Sequence, residues 1–187
     1  MTRGLYDKLF RPGLFLCGLL MIFSVAPSVA ASPFGQGVFG AHVPFGSQTS
    51  LTISLGGNVS LTLTPSGSTF VGSGSHTISV TSTDVVGYSL YVYSSSGSTN
   101  MTNGTDTIPA SSNGTAASLA TNTWGYNIDG SSNYLGMTTH PVLLKTATGP
   151  YESGDNTTVT YGVLTDITKS AGSYTTAVTY TAVALTD

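Results

Sequence analysis

The chain has 187 residues, only 7% of them charged, and a formal net charge of −3. Arg3, Lys8 and Arg11 crowd its start, so Lys145 and Lys169 are the only strong bases beyond them, against Asp84, Asp106, Asp129, Glu152, Asp155, Asp166 and Asp187. Two dispersed cations cannot neutralise a run of phosphates or hold an anionic lipid surface, which excludes a nucleic-acid partner and an electrostatic membrane contact.

In chain order, the positive start is followed by an apolar run from Leu14 through Ala26 and then by the small residues Ser28-Val29-Ala30-Ala31. That sequence of features predicts a secretory signal peptide over residues 1–31. The apolar run is shorter than the ~20 residues of a membrane-spanning helix, and no second one follows, so the mature chain is expected to carry no transmembrane anchor. Cys17, the lone cysteine, lies inside the leader with Leu16 before it. A small residue there would suit lipoprotein processing; Leu16 does not. The mature chain is therefore expected to be exported without thiols, and about 155 residues suffice for one domain that hides roughly 68–70% of its unfolded surface.

Residues 32–47 form an apolar, glycine-rich arm with Phe34, Val38, Phe39, Val43 and Phe45. The β-sandwich domain is expected over residues 48–187. Leu51, Ile53 and Leu55, then Val59, Leu61 and Leu63, alternate with Thr and Ser around Gly56-Gly57-Asn58. Period-two alternation gives a strand with one buried face, and the glycine break predicts a hairpin over Leu51 to Leu63. His76, Ile78 and Val80 continue the alternation, and so do Tyr88, Leu90 and Val92, which turns Tyr91 and Tyr93 the other way. Between Ser94 and Ala120 the pattern dissolves into Ser, Thr, Asn and Gly, predicting a polar loop with little core of its own. A strand returns at Thr123–Ile128 before the Asp129-Gly130 turn, a short buried or edge strand is expected at Val142–Leu144, and two long strands close the chain. Val159, Tyr161 and Val163 mark one of these; Tyr174, Thr176, Val178, Tyr180 and Ala182 mark the other. No sustained three-and-four spacing follows the leader, so the fold class is all-β and a single sandwich.

Tyr161-Gly162-Val163, Asp166, Ala171-Gly172-Ser173-Tyr174 and the run Ala177–Ala182 resemble the closing strands of exported bacterial immunoglobulin-like domains. The Ala-Gly-x-Tyr segment is similar to a tyrosine corner, in which a tyrosine hydroxyl satisfies a backbone group at the turn. The resemblance implies an immunoglobulin-like β-sandwich. With Thr123-Trp124-Gly125-Tyr126, the chain from Ser47 to Leu185 resembles small secreted bacterial surface proteins, and distantly the WxL cell-wall-binding domains. Its single Trp is followed by Gly and Tyr where that family has Trp-x-Leu motifs, which removes the family's route to peptidoglycan.

No nucleophile sits beside a base and no pair of carboxylates marks a cleft. His42, His76 and His140 are scattered and lack zinc-ligand spacing. Asn127, Asp129, Ser131 and Asn133 put oxygens at every second position, but with one carboxylate they read as a polar turn rather than a calcium loop. No cofactor and no metal site are expected. Trp124 and Tyr126 share a face of their strand and belong either to the core or to an aromatic platform for a sugar ring, with Tyr134 a third contact. The expected function is non-enzymatic: a secreted or cell-surface protein for structure or adhesion, partnered by a cell-envelope component, a glycan or itself. The alternatives are a carbohydrate-binding module built on Trp124, Tyr126 and Tyr134, or a fimbrial, pilin-like subunit that assembles through the arm, which otherwise folds back on its own domain.

Overall fold

The computed structural model describes residues 49–185; the signal peptide and the arm lie outside them, as does His42. Ten strands follow one another: β1 Ser50–Leu55, β2 Thr64–Ser66, β3 Thr69–Thr83, β4 Gly87–Ser94, β5 Met101–Thr102, β6 Thr107–Ile108, β7 Thr123–Asn127, β8 Val142–Thr148, β9 Tyr151–Asp166 and β10 Val178–Leu185. One sheet has the order β1-β3-β9-β7, with β2 also on β3; the second is β10-β4-β8, and β5-β6 is a separate hairpin. Every strand pairing is antiparallel. The chain is thus an all-β sandwich whose first sheet has five strands and whose second has three. Its three-stranded sheet is centred on β4 rather than on the penultimate strand.

The core follows from the register of the two longest strands. Gly72, Gly74, His76, Ile78 and Val80 of β3 lie opposite Val163, Tyr161, Val159, Thr157 and Asp155 of β9. Directly opposed residues share a face, and this face is the inner one: Ile78, Val80, Val159, Tyr161 and Val163 are buried there. Tyr88, Leu90 and Val92 meet them from β4 and are likewise buried, while Tyr91 and Tyr93 point outward as their alternation requires. On the outer face Ser73, Ser75 and Thr77 are exposed to solvent beside β9.

The hairpin expected over Leu51 to Leu63 does not form. β1 and β2 both run antiparallel to β3, Leu55 opposite Ile78 and Thr64 opposite Val71, so the chain keeps its direction through Gly56-Gly57-Asn58. Eight residues, 56–63, therefore span the length of six, 72–77, and the surplus lifts the segment onto the inner face of the sheet. Gly72 and Gly74 make room for it: a Cβ on Gly72 would lie 2.8 Å from the Thr62 carbonyl oxygen, and one on Gly74 would lie 2.9 Å from Val59. Val59 and Leu61 then pack against the core in place of the side chains the two glycines lack. The chain reversal instead lies between β2 and β3, around Gly67.

The loop from Ser94 to Ala120 also carries more structure than its composition predicts. It contains β5 and β6, buries Ile108, and lays Pro109–Ser111 along the free edge of β7. There Trp124 N–H donates to the Pro109 carbonyl at 3.2 Å and Ser111 N–H to the Trp124 carbonyl at 2.7 Å. The Val142–Leu144 strand is an edge strand, extended to Thr148 and half-exposed at Leu143. The two closing strands belong to different sheets: β9 pairs with β3 and β7, β10 with β4, and their tyrosines meet across the core. Among the described residues no helix is long and apolar enough to cross a membrane.

Candidate functional site

Three polar clusters hold distant parts of the chain together. In the first, the Tyr88 hydroxyl donates to Asp155 Oδ2 at 2.7 Å, and Lys145 Nζ donates to Asp155 Oδ1 at 2.7 Å and to Thr157 Oγ1 at 3.3 Å. Lys145 belongs to one sheet and Asp155 to the other. Burial alone would raise the Asp155 carboxyl, but the bonds from Lys145 and Tyr88 hold it below its usual range; burial and the same carboxylate push the Tyr88 phenol far up.

In the second cluster, a hydrogen bond joins the Tyr161 and Tyr180 hydroxyls, and Tyr180 lies 3.0 Å from His76 Nε2. His76 Nδ1 is 3.0 Å from the Gly57 carbonyl, which only accepts, so Nδ1 carries a proton. In the neutral ring Nε2 then accepts from Tyr180, and the chain of donors runs Tyr161 to Tyr180 to His76. Burial pushes Tyr161 up to about 12 and Tyr180 still further.

The third cluster contains the tyrosine corner that the sequence resembles. The Tyr174 hydroxyl donates to the Ser170 carbonyl at 2.8 Å and stands 3.4 Å from Asp106 Oδ2. Asp106 also receives Ser170 N–H at 3.2 Å and Lys169 Nζ at 3.2 Å, so the β5-β6 hairpin is clasped to the loop before β10. Bonds from the Ser170 and Thr107 backbone and from Lys169 hold the Asp106 carboxyl down at about 2. All three clusters are occupied in holding the fold.

The predicted aromatic contacts separate. Trp124 and Tyr126 do share a face, but that face lies opposite Val163 and Tyr161 in the core, and the two residues are 1% and 2% exposed. The Trp124 indole N–H donates to the Thr99 carbonyl at 2.9 Å. Burial removes both from any surface platform, which corrects the expectation that they contact a ligand. Alternation established that they share a side; it carries no information on which side faces water.

Tyr134 is placed differently. Its strand segment bridges Ala117, and its ring lies against the outer face of the first sheet, where Gly162 supplies the bare backbone it rests on. Any Cβ at Gly162 would overlap that ring. Beside the ring lies an open groove of about 500 Å³. Tyr134, Leu119, Val71 and Leu164 provide its apolar surface, and Thr62, Thr64, Ser73, Ser118 and Ser132 surround it with hydroxyls. No charged side chain lines it. Asn113 braces the wall, its amide donating to the Tyr134 carbonyl at 3.0 Å and to the Ala117 carbonyl at 3.1 Å. Sequence reading found Tyr134 but not the groove, because Ser73 and Gly162 are brought to Tyr134 only by the pairing of β3 with β9.

The remaining candidates have ordinary structural settings. Asn127 is buried and donates to the Ser131 and Asn133 carbonyls at 2.9 and 3.1 Å, while Asp129 accepts Ser131 N–H at 3.0 Å, as in a polar turn. His140 is exposed in the loop before β8. Among the described residues no three His, Cys, Asp or Glu side chains converge as metal ligands.

Fold and groove together define an all-β sandwich with a shallow, uncharged, partly aromatic surface site. No family model matches the chain, and no curated protein matches it. A solved structure described as "Chaperone-tip adhesin complex is vital for synergistic activation of CFA/I fimbriae biogenesis" is similar at 13% identity and a TM-score of 0.47, over 72% of this chain and 41% of that one. The chain therefore spans less than half the length of that neighbour.

Proposed function

We propose that the protein is a non-enzymatic adhesion module exported to the cell surface, and that it holds an uncharged glycan in the groove at Tyr134. The observation that carries this reading is the groove's composition: one aromatic ring and a few aliphatic side chains among five hydroxyls, with no charge. A sugar ring presents just this pairing of an apolar face and a rim of hydroxyls, and Ser and Thr both donate and accept. An ionic ligand would leave its charge uncompensated there. The hydroxyl lining continues out of the groove along the exposed outer face of β3 and β9, from Ser73 to Ser75 and Thr77, with Thr160 and Thr158 alongside, which suits a chain of sugars rather than a single one.

An array of neutral and acidic polysaccharides probed with the purified protein tests this. Binding to neutral glycans is expected, lost in Tyr134→Ala and in Ser73→Lys, which puts a charge on the groove floor from an exposed position. Tyr134→Phe keeps the ring and is expected to retain binding. Binding that survives both disruptive variants, or none to any glycan, overturns the glycan reading; hydrolysis of a bound glycan overturns the non-enzymatic one.

A further inference from the structure

The outer face of the second sheet departs from the pattern of the first. Tyr88, Leu90 and Val92 of β4 are buried, so Ser89, Tyr91 and Tyr93 turn outward. Leu143 of β8 and Thr181 of β10 flank Tyr91, Thr179 lies opposite Tyr93, and Thr146 and Val183 flank Ser89. A sheet face in water alternates to polar residues, as the first sheet does with Ser73, Ser75 and Thr77. Here Leu143 is 53% and Val183 48% exposed, and the two tyrosines lie half-buried beside them. Among the described residues neither the Tyr91 nor the Tyr93 hydroxyl has a hydrogen-bond partner, whereas those of Tyr88, Tyr161, Tyr174 and Tyr180 are all engaged.

The three strands of this sheet contain a single charged residue, Lys145, and it points inward to Asp155. Their outer face is therefore uncharged, in a chain whose formal net charge is −3. Tyrosines without charge are the composition of an interface core, from which Lys, Asp and Glu are depleted. We infer that this face packs against the same face of a second copy, sheet on sheet, in a two-fold dimer. Charge favours the copy over another partner. A two-fold axis brings a surface against itself, so any charge there would meet its like, and none is present; a charged partner would bury its charge unpaired. The hydroxyls of Tyr91, Tyr93, Thr179 and Thr181 both donate and accept, so each copy can satisfy the other across the axis. By strand spacing and rise the face measures roughly 14 by 27 Å. That footprint is at the small end for specific interfaces, which makes the dimer weak and reversible. The face lies on the side of the sandwich away from Tyr134, so the inference stands apart from the glycan reading, and two copies joined here leave their grooves open in opposite directions.

Sedimentation equilibrium of the purified protein from about 1 µM to about 1 mM reads the association. The average mass is expected to rise from one chain toward two and no further. Leu143→Lys and Thr181→Lys, both at exposed positions, set like charges against each other across the axis. Each is expected to hold the mass at one chain throughout, in a protein that still unfolds cooperatively. Thr77→Lys, exposed on the outer face of the first sheet, is the control and is expected to dimerise as the wild type does. A wild-type monomer at every concentration overturns the inference, and loss of array binding in Leu143→Lys would then give the face to a glycan instead. Dimers that survive both substitutions, or growth beyond two copies, place the association elsewhere on the chain and overturn it equally.

Discussion

Removing the Asp155 carboxylate by Asp155→Ala should cost this sandwich about 3 kcal/mol. In the native protein that carboxylate accepts from Tyr88, a fully buried residue, and from Lys145 across the sheets. Its loss strands a buried hydroxyl, about 1–3 kcal/mol, and unpairs an ammonium; breaking a fully buried ion pair costs about 3–5 kcal/mol. The lower end applies because the Lys145 side chain is 29% exposed, so water takes up part of its charge, and Thr157 remains as an acceptor. For a domain of this size that corresponds to a fall of roughly 10 °C in the melting temperature. The assay is urea unfolding of wild type, Asp155→Ala and the apolar replacement Tyr88→Phe with Lys145→Met and Asp155→Leu. The triple replacement leaves only the Thr157 hydroxyl without its partner and is expected to recover most of the loss. A loss below about 1 kcal/mol in Asp155→Ala, or a triple variant weaker than the single one, would refute the view that the cluster is a desolvated network joining the sheets.

Three further outcomes follow from the other contacts. Asp106 is held near 2, below its ordinary value of 3.8, so the unfolded state takes up its proton first; the clasp is complete above the ordinary value and is lost as pH falls through about 2, with hydrogen exchange in residues 101–108 accelerating over that range. Tyr174→Phe removes the bond to the Ser170 carbonyl and should cost about 0.5–1.5 kcal/mol by chemical denaturation; an unchanged stability would deny the tyrosine corner a structural role. Gly162→Ala should displace the Tyr134 ring, with an overpacking cost of about 1–3 kcal/mol and loss of glycan binding; a crystal structure with the ring unmoved would contradict the account of how it is seated.

Much of the layering was legible because period-two alternation is a local signal. Ile78 and Val80, then Tyr88, Leu90 and Val92, then Val159, Tyr161 and Val163 all face inward as their spacing requires. Local patterns misled where a long-range partner decided the outcome. Gly56-Gly57-Asn58 has the residues of a turn, but pairing to β3 on both sides of it carries the chain straight on. Ile108 is one apolar residue in a polar stretch, and only its docking under Trp124's strand makes it core. The clusters were invisible for the same reason: Asp106 and Ser170 are 64 residues apart, Tyr88 and Asp155 67. The tyrosine corner was readable because its bond spans four residues. The groove was half-readable, an aromatic residue in a polar segment, with its floor contributed by strands distant in sequence.

The most direct test of the central claim is calorimetric titration of the purified protein with the neutral polysaccharide that binds best on the array, at low salt and again at about 0.5 M salt. A site without charge predicts the same affinity at both, and a heat signal abolished by Tyr134→Ala in a protein that still unfolds cooperatively. Affinity that collapses with salt, or a signal that Tyr134→Ala leaves intact, would place the contact elsewhere and contradict the account.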